Sequence, residues 1–318
     1  MKNHFSIVLT ATTVHNVTAY ARNDLIMPDD IVQIKMMNTD NDKAKSSYEK
    51  DIGGLDIYES YKRSPYRSIK HSSYFQVYAE LLDRYRDKEI TFVEIGVLNG
   101  GSLFMWRDYF GPKVRIIGID FNPMARRWEN DGFEIFIGSQ SDPLFWKGVF
   151  SIIGDVDIIL DDGGHTYEQQ IVTAHECIPR IRDGGLLIVE DTHTSYFKGF
   201  GYPSKYSFIE WTKRLIDNIN SRFPAVKVCN LPYKNSIFSI SFYESIVCFK
   251  IQRDKCFDSV PTSNDGRSVD AEDFSFREQE ERLSFVSNGK SLKWLKKLKR
   301  SIAKRMAKRR ISDLIKYF

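Results

Sequence analysis

The stretch VDIILDDGGH, residues 156–165, decides how this chain folds. Its first five residues are mostly apolar and rich in β-branched side chains, which predicts a buried strand. Two adjacent carboxylates, Asp161 and Asp162, come next, and a tight glycine turn leads to His165. Open α/β sheets bind ligands beyond the carboxyl ends of their strands, so this acidic turn is a candidate site.

A second strand of the same kind comes one helix later. Residues 167–182 have a helical pattern that ends at Asp183-Gly184-Gly185, and glycine is a common helix stop. The run LLIV at 186–189 predicts another buried strand, again followed by two carboxylates, Glu190 and Asp191. Strand, helix and strand of this length predict a βαβ unit with parallel neighbouring strands. Both acidic pairs therefore belong to one edge of one sheet.

The two acidic pairs predict a metal site. Carboxylates crowded at one edge repel each other unless a cation lies among them, and oxygen ligands favour Mg²⁺, Ca²⁺ or Mn²⁺ over zinc. The alternative is that they cap helices or face water. Two pairs on paired strands, with His165 three residues after Asp162, favour the metal interpretation.

A glycine-rich turn lies within TFVEIGVLNGGS at 91–102, between a predicted strand and a predicted helix. Its spacing differs from the GxGxxG of dinucleotide enzymes, and alone it fits any tight connection. The next strand, however, ends in Asp120, where an acid can bind both hydroxyls of a ribose. A third strand, at 133–138, leads into SQSD at 139–142, whose backbone and amide groups can hold an adenine. Their joint order favours a nucleotide-containing cofactor.

Composition sets the class of protein. With 318 residues, 42% of them hydrophobic and 14% aromatic, the chain can form one α/β domain with extensions. Its four scattered cysteines predict reduced thiols of a cytoplasmic protein. They are Cys177, Cys229, Cys248 and Cys256. The net charge of +4 includes about +11 from residues 290–318, which leaves about −7 for the rest. The body therefore lacks a nucleic-acid footprint, and we expect no nucleic-acid partner.

The chain divides into four predicted parts. Residues 1–54 form an extension that covers the sheet or joins a second subunit, so a homo-oligomer stays open. Residues 55–251 form the α/β domain, and residues 252–290 are a linker. Residues 291–318 have apolar residues at steps of three and four with Lys and Arg on the other face. This pattern predicts a helix on an anionic membrane, peripheral to the inner face of the cell membrane, with a dimer-docking helix or a solvated tail as alternatives.

Six motifs within roughly residues 55–250 resemble the macrocin and mycinamicin sugar O-methyltransferases and the related cephalosporin hydroxylase-like proteins. They are EIG at 94–96, GGS at 100–102, Asp120, QSD at 140–142, DDGGH at 161–165 and EDTHTSY at 190–196. The resemblance implies a class I S-adenosylmethionine (SAM) methyltransferase. Its fold is a Rossmann-like, seven-stranded and mostly parallel sheet with an antiparallel last strand, and helices cover both faces. The sequence reads Gly-Gly-His at 163–165 where many relatives read Gly-Ser-His, which leaves the histidine in place.

The resemblance also implies the site residues. The metal, Mg²⁺ or Mn²⁺, is held by Asp162, Glu190 and Asp191, and His165 is the general base. The predicted SAM-binding residues are Glu94, Gly96, Gly100, Ser102, Asp120, Gln140, Ser141, Asp142 and Asp161. His193 and Tyr196 are candidates for sugar contact, with loop packing as the alternative. The predicted cofactors are thus SAM and a divalent metal.

The expected reaction is methylation of a sugar hydroxyl. A metal orients adjacent hydroxyls and stabilises the forming alkoxide, and an imidazole can accept the proton near neutral pH. The acceptor is expected to be a bacterial surface glycan, a polysaccharide or another glycoside. A catechol-like phenol suits the same metal geometry and stays open, as does a non-catalytic SAM-binding scaffold of a glycan-assembly complex. The intact acids and His165 favour an enzyme.

Overall fold

The computed structural model of the protein describes residues 49–226 and 232–269. The chain separates into two units, residues 1–53 and residues 54–318. Of the first unit only a helical turn near its end is described. The predicted membrane helix at 291–318 and most of the predicted extension and linker lie outside the described residues.

In the part of the chain that the structure describes, seven strands form one sheet in the order β3-β2-β1-β4-β5-β7-β6. They are β1 (Thr91–Ile95), β2 (Arg115–Asp120), β3 (Glu134–Ile137), β4 (Val156–Asp161), β5 (Ile181–Val189), β6 (Ile237–Tyr243) and β7 (Ile246–Ile251). Strands β1 to β5 are parallel, whereas β7 is antiparallel to both β5 and β6. The predicted sheet and its antiparallel last strand are confirmed.

Among the described residues, six helices accompany the sheet. They are α1 (Asp56–Arg63), α2 (Tyr74–Leu82), α3 (Gly101–Phe110), α4 (Pro143–Ile153), α5 (Tyr167–Cys177) and α6 (Phe208–Asn220). Within the described residues, none of the helices combines the length and the apolar character needed to cross a bilayer.

Alternation along the central strand β1 places helices on both faces, as predicted. Val93 and Ile95 join the apolar core formed with α4, α5 and α6. Phe92 points the other way and packs against Trp106 and Phe110 of α3. Successive side chains of a strand face opposite sides, so a strand buried on both faces is mostly apolar, with Glu94 as the buried acid of β1.

The helix predicted over residues 167–182 is shorter than expected. Helix α5 ends at Cys177, a short 3₁₀ turn covers Ile178–Arg180, and β5 begins at Ile181, before the glycines. Pro179 explains the early stop, because a proline has no N–H and clashes with the preceding helical turn. The start of α5 is fixed by a capping box between Thr166 and Gln169.

Candidate active site

Three strand ends meet at the carboxyl edge of the sheet. Ile95, the last residue of β1, lies beside Asp161 of β4, which in turn lies beside Val189 of β5. The ladder continues one residue further, since the Asp162 amide donates to the Ile95 carbonyl at 3.0 Å. This register places both acidic pairs beside the glycine-rich turn.

The open centre of this edge consists of Asp162, His165 and Asp191. One ligand atom from each lies within 4.8 Å of the others. His165 Nε2 is 3.3 Å from Asp191 Oδ2 and 3.8 Å from Asp162 Oδ1. His165 and Asp191 both have left-handed backbone conformations, with φ of 58° and 54°. Non-glycine residues rarely adopt this conformation, and it concentrates at functional sites.

The other ring nitrogen of His165, Nδ1, is buried and has no hydrogen-bond partner within the described part of the chain. A buried polar atom without a partner is costly and indicates a site shaped for something besides stability. The backbone of His165 is fixed by the turn after β5, because the Thr194 hydroxyl donates to the His165 carbonyl at 3.0 Å.

Three further residues reach the acids from the segment that precedes β1. Lys70 Nζ lies 2.7 Å from Asp162 Oδ2 and 2.8 Å from Glu190 Oε2. The Tyr78 hydroxyl donates to Glu190 Oε1, and the Tyr74 hydroxyl donates to Asp191 Oδ1 at 2.5 Å. Both carboxylate oxygens of Glu190 therefore have partners from this segment.

Burial and the charges of neighbouring groups together set the pKa values of the cluster. Burial raises the pKa of Glu190 despite the nearby Lys70 ammonium, and it also raises that of the Tyr78 hydroxyl. For Lys70, burial acts to lower the pKa, but Asp162 and Glu190 outweigh it and hold that pKa well above its ordinary value. The ammonium thus stays charged among the acids.

Two predicted cofactor residues around the glycine turn, Glu94 and Ser102, are buried. Glu94 is fully buried and accepts from the Ser102 hydroxyl at 2.9 Å and from Trp106 Nε1 at 3.0 Å. Burial raises the pKa of Glu94 to about 7. Gly96 and Gly100 have φ of 92° and 77°, which lets the loop turn sharply above β1. Their contact with SAM remains a prediction.

Asp120, at the end of β2, lies beside the same loop. Its Oδ2 accepts from the amides of Val97 and Leu98 at 2.9 and 3.0 Å, and its Oδ1 accepts from Asn122. The carboxylate therefore shapes the glycine turn, and its contact with a ribose remains a prediction.

Gln140 and Asp161 form a buried link between β3 and β4. Gln140 Nε2 donates to Asp161 Oδ1 at 2.9 Å, and its Oε1 accepts from the Gly164 amide at 2.9 Å. Burial raises the pKa of Asp161 to about 6. Asp142 instead caps α4 by accepting from Leu144, and Ser141 is half-buried.

The two candidate sugar-contact residues lie in a 3₁₀ turn at Thr192–Tyr196. His193 Nδ1 is 2.5 Å from the Ser245 hydroxyl, and its ring stands edge-on to that of His71 at 5.8 Å. Burial lowers the pKa of His193. Tyr196 is 71% exposed, and its contact with an acceptor remains a prediction. His193, the acids and His165 are thus close together, while Tyr196 lies at the surface.

The fold is that of a class I methyltransferase. The sequence pattern of a family described as a methyltransferase domain matches residues 93–192, which span β1, the glycine turn and both acidic pairs. A methyltransferase domain is therefore present.

The chain is also similar to sequences and a structure of named methyltransferases. A rhamnosyl tetracenomycin-C 2′-O-methyltransferase of Streptomyces olivaceus is 32% identical over 46% of this chain and 41% of its own length. Mycinamicin VI 2″-O-methyltransferase of Micromonospora griseorubida is 33% identical over 37% of this chain and 31% of its own length. The MycE methyltransferase of mycinamycin biosynthesis, solved with Mg and SAH, superimposes with a TM-score of 0.56 at 26% identity, over 62% of this chain and 55% of MycE. The resemblance seen in the motifs is confirmed, although the chain spans less than half the length of these two sequence relatives.

Proposed function

We propose that the chain is a metal-dependent SAM O-methyltransferase that methylates a hydroxyl of a sugar in a glycoside. The observation that carries the proposal is the position of His165 Nε2, 3.3 Å from Asp191 Oδ2 and 3.8 Å from Asp162 Oδ1, beside the glycine turn. Relatives named as sugar O-methyltransferases support the acceptor class.

The residues fit both cofactors. Asp162 and Asp191 offer oxygen donors of the kind that Mg²⁺ or Mn²⁺ prefers, and the Mg in MycE supports that choice. On the SAM side, large apolar side chains are exposed just after the ends of β1, β2 and β3, where an adenine could cover them. They are Leu98, Phe121, Met124 and Leu144.

The proposed reaction uses the chain's residues as follows. A bound divalent cation supplies positive charge that favours ionisation of the acceptor hydroxyl. His165 accepts the hydroxyl proton at Nε2, and Asp191 stabilises the resulting imidazolium. The hydroxyl oxygen forms a bond to the methyl carbon of SAM while the carbon–sulfur bond breaks, giving a methyl ether and S-adenosylhomocysteine. The adjoining glycine turn and acidic loop hold donor and acceptor together, which removes much of the entropic barrier.

The test is methyl transfer to a panel of glycosides by the purified full chain. We expect S-adenosylhomocysteine to accumulate with a glycoside that bears adjacent hydroxyls, and EDTA to abolish this activity. Turnover that persists in EDTA would remove the metal from the mechanism. Turnover only with catechols would move the acceptor to phenols, and absence of SAM binding in calorimetry would contradict the enzyme altogether.

The basic C-terminal segment, residues 291–318, supports a further proposal about where the protein acts in the cell. Residues 291–318 combine apolar steps with Lys and Arg, which supports peripheral binding to the anionic inner face of the cell membrane. A lipid-linked or surface polysaccharide would then be the acceptor, in a cytoplasmic enzyme. Truncation after Asn288 should abolish sedimentation with anionic liposomes and spare turnover of a soluble acceptor. If the truncated chain still sediments, the membrane proposal is wrong.

A further inference from the structure

Lys70 is a buried cation inside the acidic cluster. Its side chain is 1% exposed, and its ammonium bridges Asp162 at the end of β4 and Glu190 at the end of β5. In the described ranges, no other lysine or arginine pairs with either acid or with Asp191. Lys70 therefore joins two strand ends whose charges would otherwise repel each other.

The ammonium also divides the carboxylate oxygens into two groups. The inner group consists of both oxygens of Glu190 and Oδ2 of Asp162, which Lys70 and Tyr78 bind. The outer group consists of Asp162 Oδ1 and Asp191 Oδ2, which face His165 Nε2. The other oxygen of Asp191 accepts from Tyr74, so helix α2 and the loop before it fix all three acids.

We propose that Lys70 is a positioning residue, a built-in cation that holds Asp162 and Glu190 in place before a metal binds. It keeps the acidic edge assembled without metal, and it leaves the outer oxygens to a divalent ion. A positive charge this close to a divalent ion also opposes its binding, so Lys70 weakens metal affinity while it preserves the geometry. The metal half of this inference rests on the proposed function, whereas the assembly of the acids without metal does not.

The experiment compares the full chain with K70M, which keeps an unbranched side chain and removes the charge. Thermal unfolding is followed in EDTA and in saturating Mg²⁺, and Mg²⁺ binding is measured by calorimetry. We expect K70M to unfold at a lower temperature in EDTA, to recover most of that loss in Mg²⁺, and to bind Mg²⁺ about tenfold more tightly. An equal loss of stability in both conditions would show that Lys70 only fills space. No loss in EDTA would show that the acids need no cation from Lys70. Either result would overturn the proposal.

A matched control is K213M, since Lys213 lies on α6 and pairs with Glu210 at 2.5 Å, outside the cluster. It should change stability equally with and without Mg²⁺.

The double variant K70M/E190Q removes the charge that Lys70 balances, and should be more stable in EDTA than K70M. If K70M does not fold, the double variant should; failure of both would overturn the proposal. If wild type and K70M bind no Mg²⁺, the metal half and the proposed metal mechanism fail together, and the coupling in EDTA still decides the positioning role.

Discussion

Gly96 lies directly against the backbone carbonyl of Asp162, so that a Cβ atom on Gly96 would come within 2.0 Å of that oxygen. Gly96 also has a φ of 92°, which disfavours any side chain. The close approach binds the glycine turn after β1 to the acidic turn after β4. The proposed cofactor loop and the proposed metal loop are therefore one structural unit.

The first prediction concerns this contact. G96A should lower the free energy of unfolding by about 2–4 kcal/mol, because the methyl group must displace the Asp162 carbonyl and the left-handed backbone is strained. It should weaken SAM binding as well. Urea unfolding and calorimetry measure the two effects.

Gly148 provides the control. It lies in α4, and a Cβ atom added there would meet nothing within 4 Å. G148A should therefore stabilise the chain by about 0.5–1 kcal/mol. Equal behaviour of the two variants would contradict the contact.

The second prediction concerns the base. H165Q should lower kcat by about 10²- to 10⁴-fold, because the acceptor hydroxyl then loses the imidazole nitrogen that takes its proton. SAM affinity should change little, since the loss concerns proton transfer and not cofactor binding. Steady-state kinetics and calorimetry on the same preparation test both statements. A variant with wild-type kcat would assign the proton to another acceptor.

The third prediction separates the acids. D162N and D191N should each weaken Mg²⁺ binding by about tenfold or more, since their outer oxygens face the open centre. E190Q should weaken it less, because both oxygens of Glu190 are already bound by Lys70 and Tyr78. Asp217, exposed on α6, provides the control D217N, which should bind Mg²⁺ as the wild type does. An E190Q defect as large as that of D162N would place Glu190 in the metal shell, as the family resemblance implies.

The sequence predicts the sheet edge well, because strand runs such as residues 156–160 and the acids after them are local patterns. Register between parallel strands then brings Asp162 and Glu190 together with no further information. Lys70 is different. It belongs to a loop, and its partners lie 92 and 120 residues away in the chain. Only the packing of α2 over the edge creates these contacts.

One signal for that packing is present in the sequence. Tyr74 and Tyr78 lie four residues apart on α2, which places their hydroxyls on one helical face, and Lys70 lies four residues before Tyr74 in the preceding loop. Apolar periodicity alone assigns the two tyrosines to the core, and both rings are indeed buried. Their hydroxyls nevertheless reach the acids, because a tyrosine can bury its ring and still donate a hydrogen bond.

The end of α5 differs from the prediction for another reason. Pro179 ends the helix before the chain reaches the glycines at 184–185, which the sequence pattern had suggested as the helix end.

The fourth prediction concerns acceptor contact. Y196A should raise the KM for the glycoside by several-fold and leave the unfolding free energy nearly unchanged, because the ring is 71% exposed. SAM affinity should stay at the wild-type value. Kinetics at saturating SAM measure the change, and thermal unfolding serves as the stability control. An unchanged KM would move acceptor recognition away from the turn at Thr192–Tyr196.

The last prediction concerns the pH dependence of stability. Burial raises the pKa of Glu94 in the folded chain to about 7 from an ordinary value of 4.5. The folded chain therefore holds a proton on Glu94 between pH 4.5 and 7 that the unfolded chain has lost, so this group destabilises the fold progressively as the pH rises through that window. A shift of this size corresponds to about 3 kcal/mol at about 1.36 kcal/mol per unit.

E94Q removes the titration, so the difference in unfolding free energy between E94Q and wild type should grow in favour of E94Q by about that amount from pH 4.5 to 8. Urea unfolding across this range measures the difference. E89Q, which changes an exposed carboxylate just before β1, should follow the wild-type profile. A parallel pH profile for E94Q and wild type would show that Glu94 is ionised in the folded chain throughout, held so by Lys70 and the donors Ser102 and Trp106.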